Sequence, residues 1–164
     1  MSIKVNKKVI KVITLVFVAT CIVSWYFYLT RPVSLYDLIS KSAIKEIHIS
    51  TSTSSRITYQ LPKELTLDNK KDINAITNIL NKYKYSKILK YYNPRVAPSN
   101  SADGGINIFI THAKADGFIQ QYIFVDSENN VIIRNNTGVN IEYKIKQGDK
   151  KIFENLSSWL RLKL

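Results

Sequence analysis

The chain has 164 residues, which is enough for one domain of ordinary size beside a short apolar segment, but too few for two domains. Its 24 Lys and Arg residues against 12 Asp and Glu residues give a formal net charge of +12. The single cysteine excludes an internal disulfide and a zinc site held by several thiolates.

An apolar segment without a charged residue runs from Val12 to Thr30. A helix rises about 1.5 Å per residue and a bilayer core is about 30 Å thick, so about 20 apolar residues cross it. Trp25, Tyr26 and Tyr28 lie at the far end, where aromatic rings settle at a membrane interface. The sequence therefore predicts a single transmembrane anchor over residues 12–30.

Residues 1–11 form a basic tail whose charges are all lysines, namely Lys4, Lys7, Lys8 and Lys11. Positive residues beside a span stay in the cytoplasm. We therefore expect a single-pass protein of the cell membrane, with its N-terminus cytoplasmic and its C-terminal domain extracytoplasmic. An extracytoplasmic domain without disulfides is typical of a Gram-positive bacterium.

Two alternatives to a retained anchor follow from the same segment. One is a cleaved signal peptide, although the apolar run is longer than a signal-peptide core and continues through the aromatic cluster. The other is lipidation at Cys21, because Val18-Ala19-Thr20-Cys21 resembles a bacterial lipobox. Thr20 departs from that pattern, which expects Gly, Ala or Ser there.

The part of the chain beyond the anchor is itself strongly basic. The segment up to Thr30 holds four lysines and no acid, so the remainder carries 12 − 4 = +8. Such a field favours an anionic wall polymer, a lipid headgroup or an acidic protein as partner. The predicted orientation argues against nucleic acid, and a basic surface without a dedicated ligand is the simplest alternative.

The elements follow in chain order. Residues 31–43 predict a juxtamembrane helix or linker, with Ser34 as N-cap and Asp37 three residues on. Residues 44–164 predict the extracytoplasmic domain. Its expected parts are a hairpin (44–61), a helix after Pro62 capped by Asp68 or Asn69, a strand (85–92), a loop (93–105), four meander strands (106–112, 118–125, 131–134, 139–146) and a helix from Asp149.

This order predicts an α+β fold, a two-layer domain of antiparallel sheet with helices packed on one face. In the last strand Val139, Ile141 and Tyr143 alternate with polar residues, so one sheet face is apolar and the other faces water. We expect the second face to be polar and available.

Catalytic and cofactor motifs are not visible in the sequence, and we predict no cofactor and no metal. His48 and His112 are the two histidines, and neither belongs to a metal-binding or triad-like motif. An alternative function is an envelope-acting enzyme that uses the 93–105 loop and His112. Another is a structural spacer subunit of a membrane complex.

The most distinctive local feature is a stretch in which lysines alternate with tyrosines. Basic residues attract anions, and tyrosines add flat contact area with a hydroxyl at the tip. The alternative is a solvated edge strand whose lysines prevent aggregation and whose tyrosines enter the core. The candidate patch consists of Lys82, Lys84, Tyr85, Lys87, Lys90, Tyr91, Tyr92 and Arg95.

The segments SLYDLI, IKEIHIS and IEYKIK…LSSWL, with a capped helix and a meander between them, resemble small uncharacterised extracytoplasmic domains of Gram-positive bacteria, tethered by a lipid or a single span. The resemblance lies in the order of elements and implies no site residues. The sequence thus predicts a membrane-anchored protein with a basic, non-catalytic binding domain in an accessory, immunity-type or sensor role.

Overall fold

The computed structural model describes residues 7–39, 43–52, 61, 63–88, 104–115, 117–134, 140–147 and 151–163. The chain divides into two compact units, Met1–Arg31 and Pro32–Leu164. The second unit is an α+β domain built on an antiparallel sheet, which confirms the predicted fold class.

The first unit contains one α-helix, α1 (Lys7–Thr30), of 24 residues, which begins before the predicted anchor. It is long and apolar enough to cross a membrane, and none of its side chains is buried. The hydroxyls of Thr14 and Thr20 donate to the carbonyls of Ile10 and Val16 at 3.0 and 2.9 Å. Each of these bonds satisfies the threonine hydroxyl within the helix itself.

Among the described residues, the sheet of the second unit has seven strands, all paired antiparallel. Their order across the sheet is β2-β1-β4-β5-β6-β7-β3. The strands are β1 (Ile44–Ser52), β2 (Glu64–Leu67), β3 (Lys84–Lys87), β4 (Gly105–Lys114), β5 (Gly117–Asp126), β6 (Val131–Arg134) and β7 (Asn140–Gln147).

The four meander strands begin and end within two residues of their predicted bounds. The first hairpin differs from the prediction in the strand that pairs with β1. The strand that pairs with β1 is β2, over Glu64–Leu67, beyond the predicted end of the hairpin at 61. Residues 53–60, where the predicted partner falls, lie outside the described residues. β2 has only four residues, and two of them, Glu64 and Thr66, are polar. So short an alternation is not enough to predict a strand from the sequence.

In the part of the domain that the structure describes, three helices accompany the sheet: α2 (Leu35–Leu38), α3 (Lys70–Asn81) and α4 (Ile152–Arg161). The N–H of Ser34 donates to Asp37 Oδ2 at 2.8 Å, and the side chain of Asn69 accepts from the N–H of Asp72 at 2.9 Å. Ser34 and Asn69 are therefore caps, as predicted. Lys163 Nζ lies 2.6 Å from Asp72 Oδ1 and holds the pKa of that carboxyl below its ordinary value.

The core lies between these helices and one face of the sheet, which we call the core face. Alternate strand residues such as Ile47, Ile108 and Ile123 form one buried cluster with Ile76 of α3 and Leu156 of α4. None of the described helices of the second unit packs on the opposite face, which we call the open face. The helices are thus on one side only, as predicted.

The segment after the anchor contributes to the core of the domain. Val33 and Tyr85 exchange two backbone hydrogen bonds of 2.9 and 2.8 Å, so residue 33 extends the sheet beyond β3. Leu35 is fully buried and Ile39 is 7% exposed, both within the core. The folded unit therefore starts at Pro32, earlier than the predicted residue 44, because these apolar side chains complete the core.

Candidate binding site

The predicted basic patch is only partly a surface. Lys82 is exposed at the C-terminal end of α3, and Lys84 and Lys87 are half-buried on β3. By register Lys87 is opposite Tyr143, a core residue, and the pairing is irregular between Lys84 and Tyr85. The remaining patch residues Lys90, Tyr91, Tyr92 and Arg95 lie outside the described residues.

Tyr85 is a correction to the predicted patch, because its side chain lies in the core with no exposed area. Its hydroxyl donates to the carbonyl of Leu80 at 2.5 Å, and its ring packs edge-to-face on Tyr143. Burial raises the pKa of Tyr85 well above its ordinary value, and proximity to Tyr83 adds to the effect. The residue is unavailable to a ligand, since strand alternation places it on the core face beside Ile145.

Two lysines of β7 add to the basic edge of the sheet. Lys144 and Lys146 are exposed on the open face, and Lys144 is the cross-strand partner of Ser86 in β3. They are distant from β3 in the sequence, so inspection of a contiguous stretch misses them. The alternation in IEYKIK is the signal that places both on the water side of the sheet.

The open face carries a line of side chains that strand register brings together from four neighbouring strands. His48 of β1 pairs with Phe109 of β4, Phe109 with Tyr122 of β5, and Tyr122 with Arg134 of β6. The ring centroids of His48 and Phe109 are 6.0 Å apart, and those of Phe109 and Tyr122 are 5.2 Å apart. We call this line the aromatic row.

The aromatic row ends in hydrogen-bonding groups at both sides. At one end His48 Nδ1 lies 3.1 Å from Thr66 Oγ1 of β2, and at the other the Arg134 guanidinium lies 5.3 Å from the centroid of the Tyr122 ring. The Tyr122 hydroxyl donates to Asn107 Oδ1 at 2.8 Å. These contacts orient the rings and leave Phe109 and Tyr122 half-exposed.

A second apolar pair lies beside the aromatic row. Phe124 of β5 and Ile132 of β6 are cross-strand partners, and Phe124 is 8% exposed. Its ring leans over Gly105, where an added β-carbon would overlap the ring edge. The open face is therefore partly apolar, which corrects the prediction that it is polar. Strand alternation assigns each residue to one of two faces. In the sequence, however, a Phe on the open face cannot be distinguished from a Phe in the core.

Charges on the open face are distributed unevenly. Glu46 and Glu64 lie on the β1–β2 side, next to the His48 end of the aromatic row, together with Lys45, whose Nζ lies over the Phe118 ring on the same face. Arg134, Lys144 and Lys146 lie on the β6–β7 side, with Glu142 between them. Cations therefore predominate at the β6–β7 side, whereas the β1–β2 side carries two carboxylates and one lysine.

His112, named for the alternative enzymatic function, lies on the core face of β4 opposite Ile119 and has no exposed area. A substrate cannot reach it, so it is a core residue in this fold. Residues 93–103 of the loop named with it lie outside the described residues. Within the described part of the chain, no group of three His, Cys, Asp or Glu side chains is placed to hold a metal ion.

No protein-family model matches the chain, and no curated protein or solved structure is significantly similar to it. The resemblance to small extracytoplasmic domains of Gram-positive bacteria therefore stays a prediction.

Proposed function

We propose that the chain is a single-span protein whose N-terminus is cytoplasmic and whose basic domain binds an anionic macromolecule at the outer face of the membrane, without catalysis. The observation that carries this proposal is the contrast between its two units. One contains an unburied apolar helix, and the other is a folded domain whose described helices pack on one face of its sheet, while aromatic and charged side chains lie on the opposite face.

The helix supports membrane anchoring because its exposed surface is costly in water. Side chains such as Leu15, Phe17 and Ile22 are exposed over most of their area. A fully buried Leu, Ile or Phe contributes about 1.5–3 kcal/mol, so a helix of them requires an apolar environment. The lysines that precede the apolar run favour the cytoplasm for its N-terminal end.

The domain supports binding of an anion through its charge. It carries +8 in total, and Lys144 and Lys146 add exposed cations to one edge of the open face. Close to a surface, each lysine contributes about 1 kcal/mol to attraction toward an anionic partner. We therefore expect these two lysines of β7 to contribute more than basic residues elsewhere on the domain.

Orientation is tested by labelling an introduced cysteine in intact cells. Ser158 is exposed on α4, so Ser158→Cys in a Cys21→Ser background provides one accessible thiol in the domain. We expect a membrane-impermeant maleimide to label it without lysis. Labelling only after lysis would place the domain in the cytoplasm and contradict the proposal. An intact mass that corresponds to a chain starting at Cys21, measured on the unmodified protein, would instead indicate cleavage or lipidation there.

Binding is tested with the full-length protein in detergent micelles, measured by co-sedimentation with anionic phospholipid vesicles and with purified wall polymer. We expect Lys144→Glu with Lys146→Glu to weaken retention about tenfold on whichever anion binds. The matched control is Lys70→Glu with Lys71→Glu on α3, which changes net charge equally. Equal losses from both pairs would mean that only total charge matters, and no retention by the unmodified protein would refute the binding function.

A further inference from the structure

We propose that the open face binds a glycan bearing an anionic group, with sugar rings on Phe109 and Tyr122 and the anion at Arg134. This inference rests on the proposed function and names the ligand class and the surface. The aromatic row crosses three inter-strand steps from β1 to β6, about 14 Å in all, which is long enough for more than one sugar ring.

The rings supply the first part of the argument. Phe109 and Tyr122 each keep part of their surface exposed, and their rings are tilted by 44° to each other with centroids 5.2 Å apart. An aromatic face is electron-rich, and the C–H groups on one side of a sugar ring carry partial positive charge. A pair of fixed, neighbouring rings is therefore a suitable support for a saccharide.

The polar groups around the rings supply the second part. Sugar hydroxyls both donate and accept, so they need a mixed environment. Glu46 and Glu64 can accept hydrogen bonds at the β1–β2 side, whereas Asn107 and Gln120 offer amides beside the rings. This mixture suits hydroxyl groups along the length of the aromatic row.

Charge complementarity selects the anionic substituent and its position. Arg134 lies at one end of the row, and its planar guanidinium can form two parallel hydrogen bonds to a phosphate or carboxylate. Toward the other end, the carboxylates of Glu46 and Glu64 outnumber the nearby Lys45 and would disfavour a second anion. A polynucleotide carries a phosphate at every unit and would meet these carboxylates, so a glycan with charge at one side fits better.

The test measures binding of full-length protein in detergent micelles to two insoluble probes. One is wall glycan that retains its phosphate-bearing polymer, and the other is the same glycan after acid cleavage of the phosphodiesters. We expect Tyr122→Ala to weaken binding to both probes about tenfold, whereas Tyr122→Phe retains it. We expect Arg134→Gln to abolish only the preference for the phosphate-bearing probe.

The control is Tyr36→Ala on α2, an exposed tyrosine on the helical side of the domain, which should leave binding unchanged. Phe109→Leu keeps an apolar side chain but removes the ring, so it tests the row even if an alanine variant fails to fold. Wild-type binding by Phe109→Leu and Arg134→Gln would overturn the glycan site while leaving the proposed function intact. Tighter binding to single-stranded nucleic acid than to either glycan would also overturn it.

Discussion

The two faces of one sheet differ in what holds their side chains. On the core face, isoleucines from neighbouring strands meet the apolar sides of α3 and α4 and are fully buried. On the open face, His48, Phe109, Tyr122 and Arg134 contact one another across strands and stay partly exposed. The first arrangement contributes mainly to stability, and the second is the surface that we propose as the binding site.

This difference comes from register rather than from composition. Both faces draw on the same strands, and β4 alternates Ile106, Ile108 and Ile110 with Asn107 and Phe109. Alternation decides the face of each residue, but the pairing of strands decides which residues become neighbours. A shift of one residue in the β4–β5 register would separate Phe109 from Tyr122 and turn buried isoleucines of one strand toward the open face.

The largest expected effect is truncation of a core-face isoleucine. Ile108→Ala should lower the free energy of unfolding by about 2–5 kcal/mol, because the side chain is fully buried opposite Ile123. Ile132→Ala on the open face is the matched control and should cost about 1 kcal/mol, since its side chain is only half-buried.

Both isoleucine variants are measured by urea unfolding of the full-length protein in micelles. Trp159 fluorescence reports the transition in a Trp25→Phe background, because Trp159 packs on the core and Trp25 lies in α1. Equal losses for the two variants would contradict the distinction between the faces.

The second prediction concerns the packing of Phe124 over Gly105. Gly105→Ala should cost about 1–3 kcal/mol of unfolding free energy, because the added methyl group would overlap the ring. The same substitution in a Phe124→Ala background should cost much less. An identical cost in both backgrounds, measured by urea unfolding, would show that the ring does not lie over Gly105.

The smallest expected effect concerns Tyr85, which the sequence predicted to belong to a surface patch. Tyr85→Phe should cost about 1 kcal/mol near neutral pH, because the Leu80 carbonyl loses its donor. Burial raises the pKa of Tyr85, so the folded state keeps the hydroxyl neutral while the unfolded state ionises at about pH 10. Stability should therefore fall as pH rises above about 10.

The Tyr85→Phe variant should lose less stability over that alkaline range than the unmodified protein. Burial also raises the pKa of Tyr143, so Tyr143→Phe should change the alkaline slope in the same direction. Thermal unfolding at several pH values from neutral to alkaline measures both. An unchanged alkaline slope in Tyr85→Phe would mean that Tyr85 is accessible to water in the folded protein.

The apolar helix, the meander and the two longer helices of the domain could be predicted from the sequence, because a long apolar run, strict alternation and helical spacing each leave a local pattern. The β2 strand could not, since polar Glu64 and Thr66 alternate with only Leu65 and Leu67. The contribution of residues 32–39 to the core was missed for a related reason. Leu35 and Ile39 lie in the core of the domain, but nothing in their local sequence shows that they pack there.

The candidate site was harder to predict than the fold. The lysines beside tyrosines suggested a binding patch on β3. The sequence does not show which face of a strand a tyrosine occupies, and Tyr85 lies in the core. The aromatic row combines residues of four strands, and only their pairing brings His48 within contact of Phe109. A sequence shows each of these residues as an ordinary member of its own strand.

The most direct measurement is hydroxyl-radical footprinting of the full-length protein in micelles, with and without phosphate-bearing wall glycan. We expect Phe109 and Tyr122 to be oxidised in the free protein and protected by the glycan, whereas Tyr36 reacts equally in both states. Protection of Tyr36 with none at Phe109 and Tyr122 would contradict the claim that the open face is the binding surface.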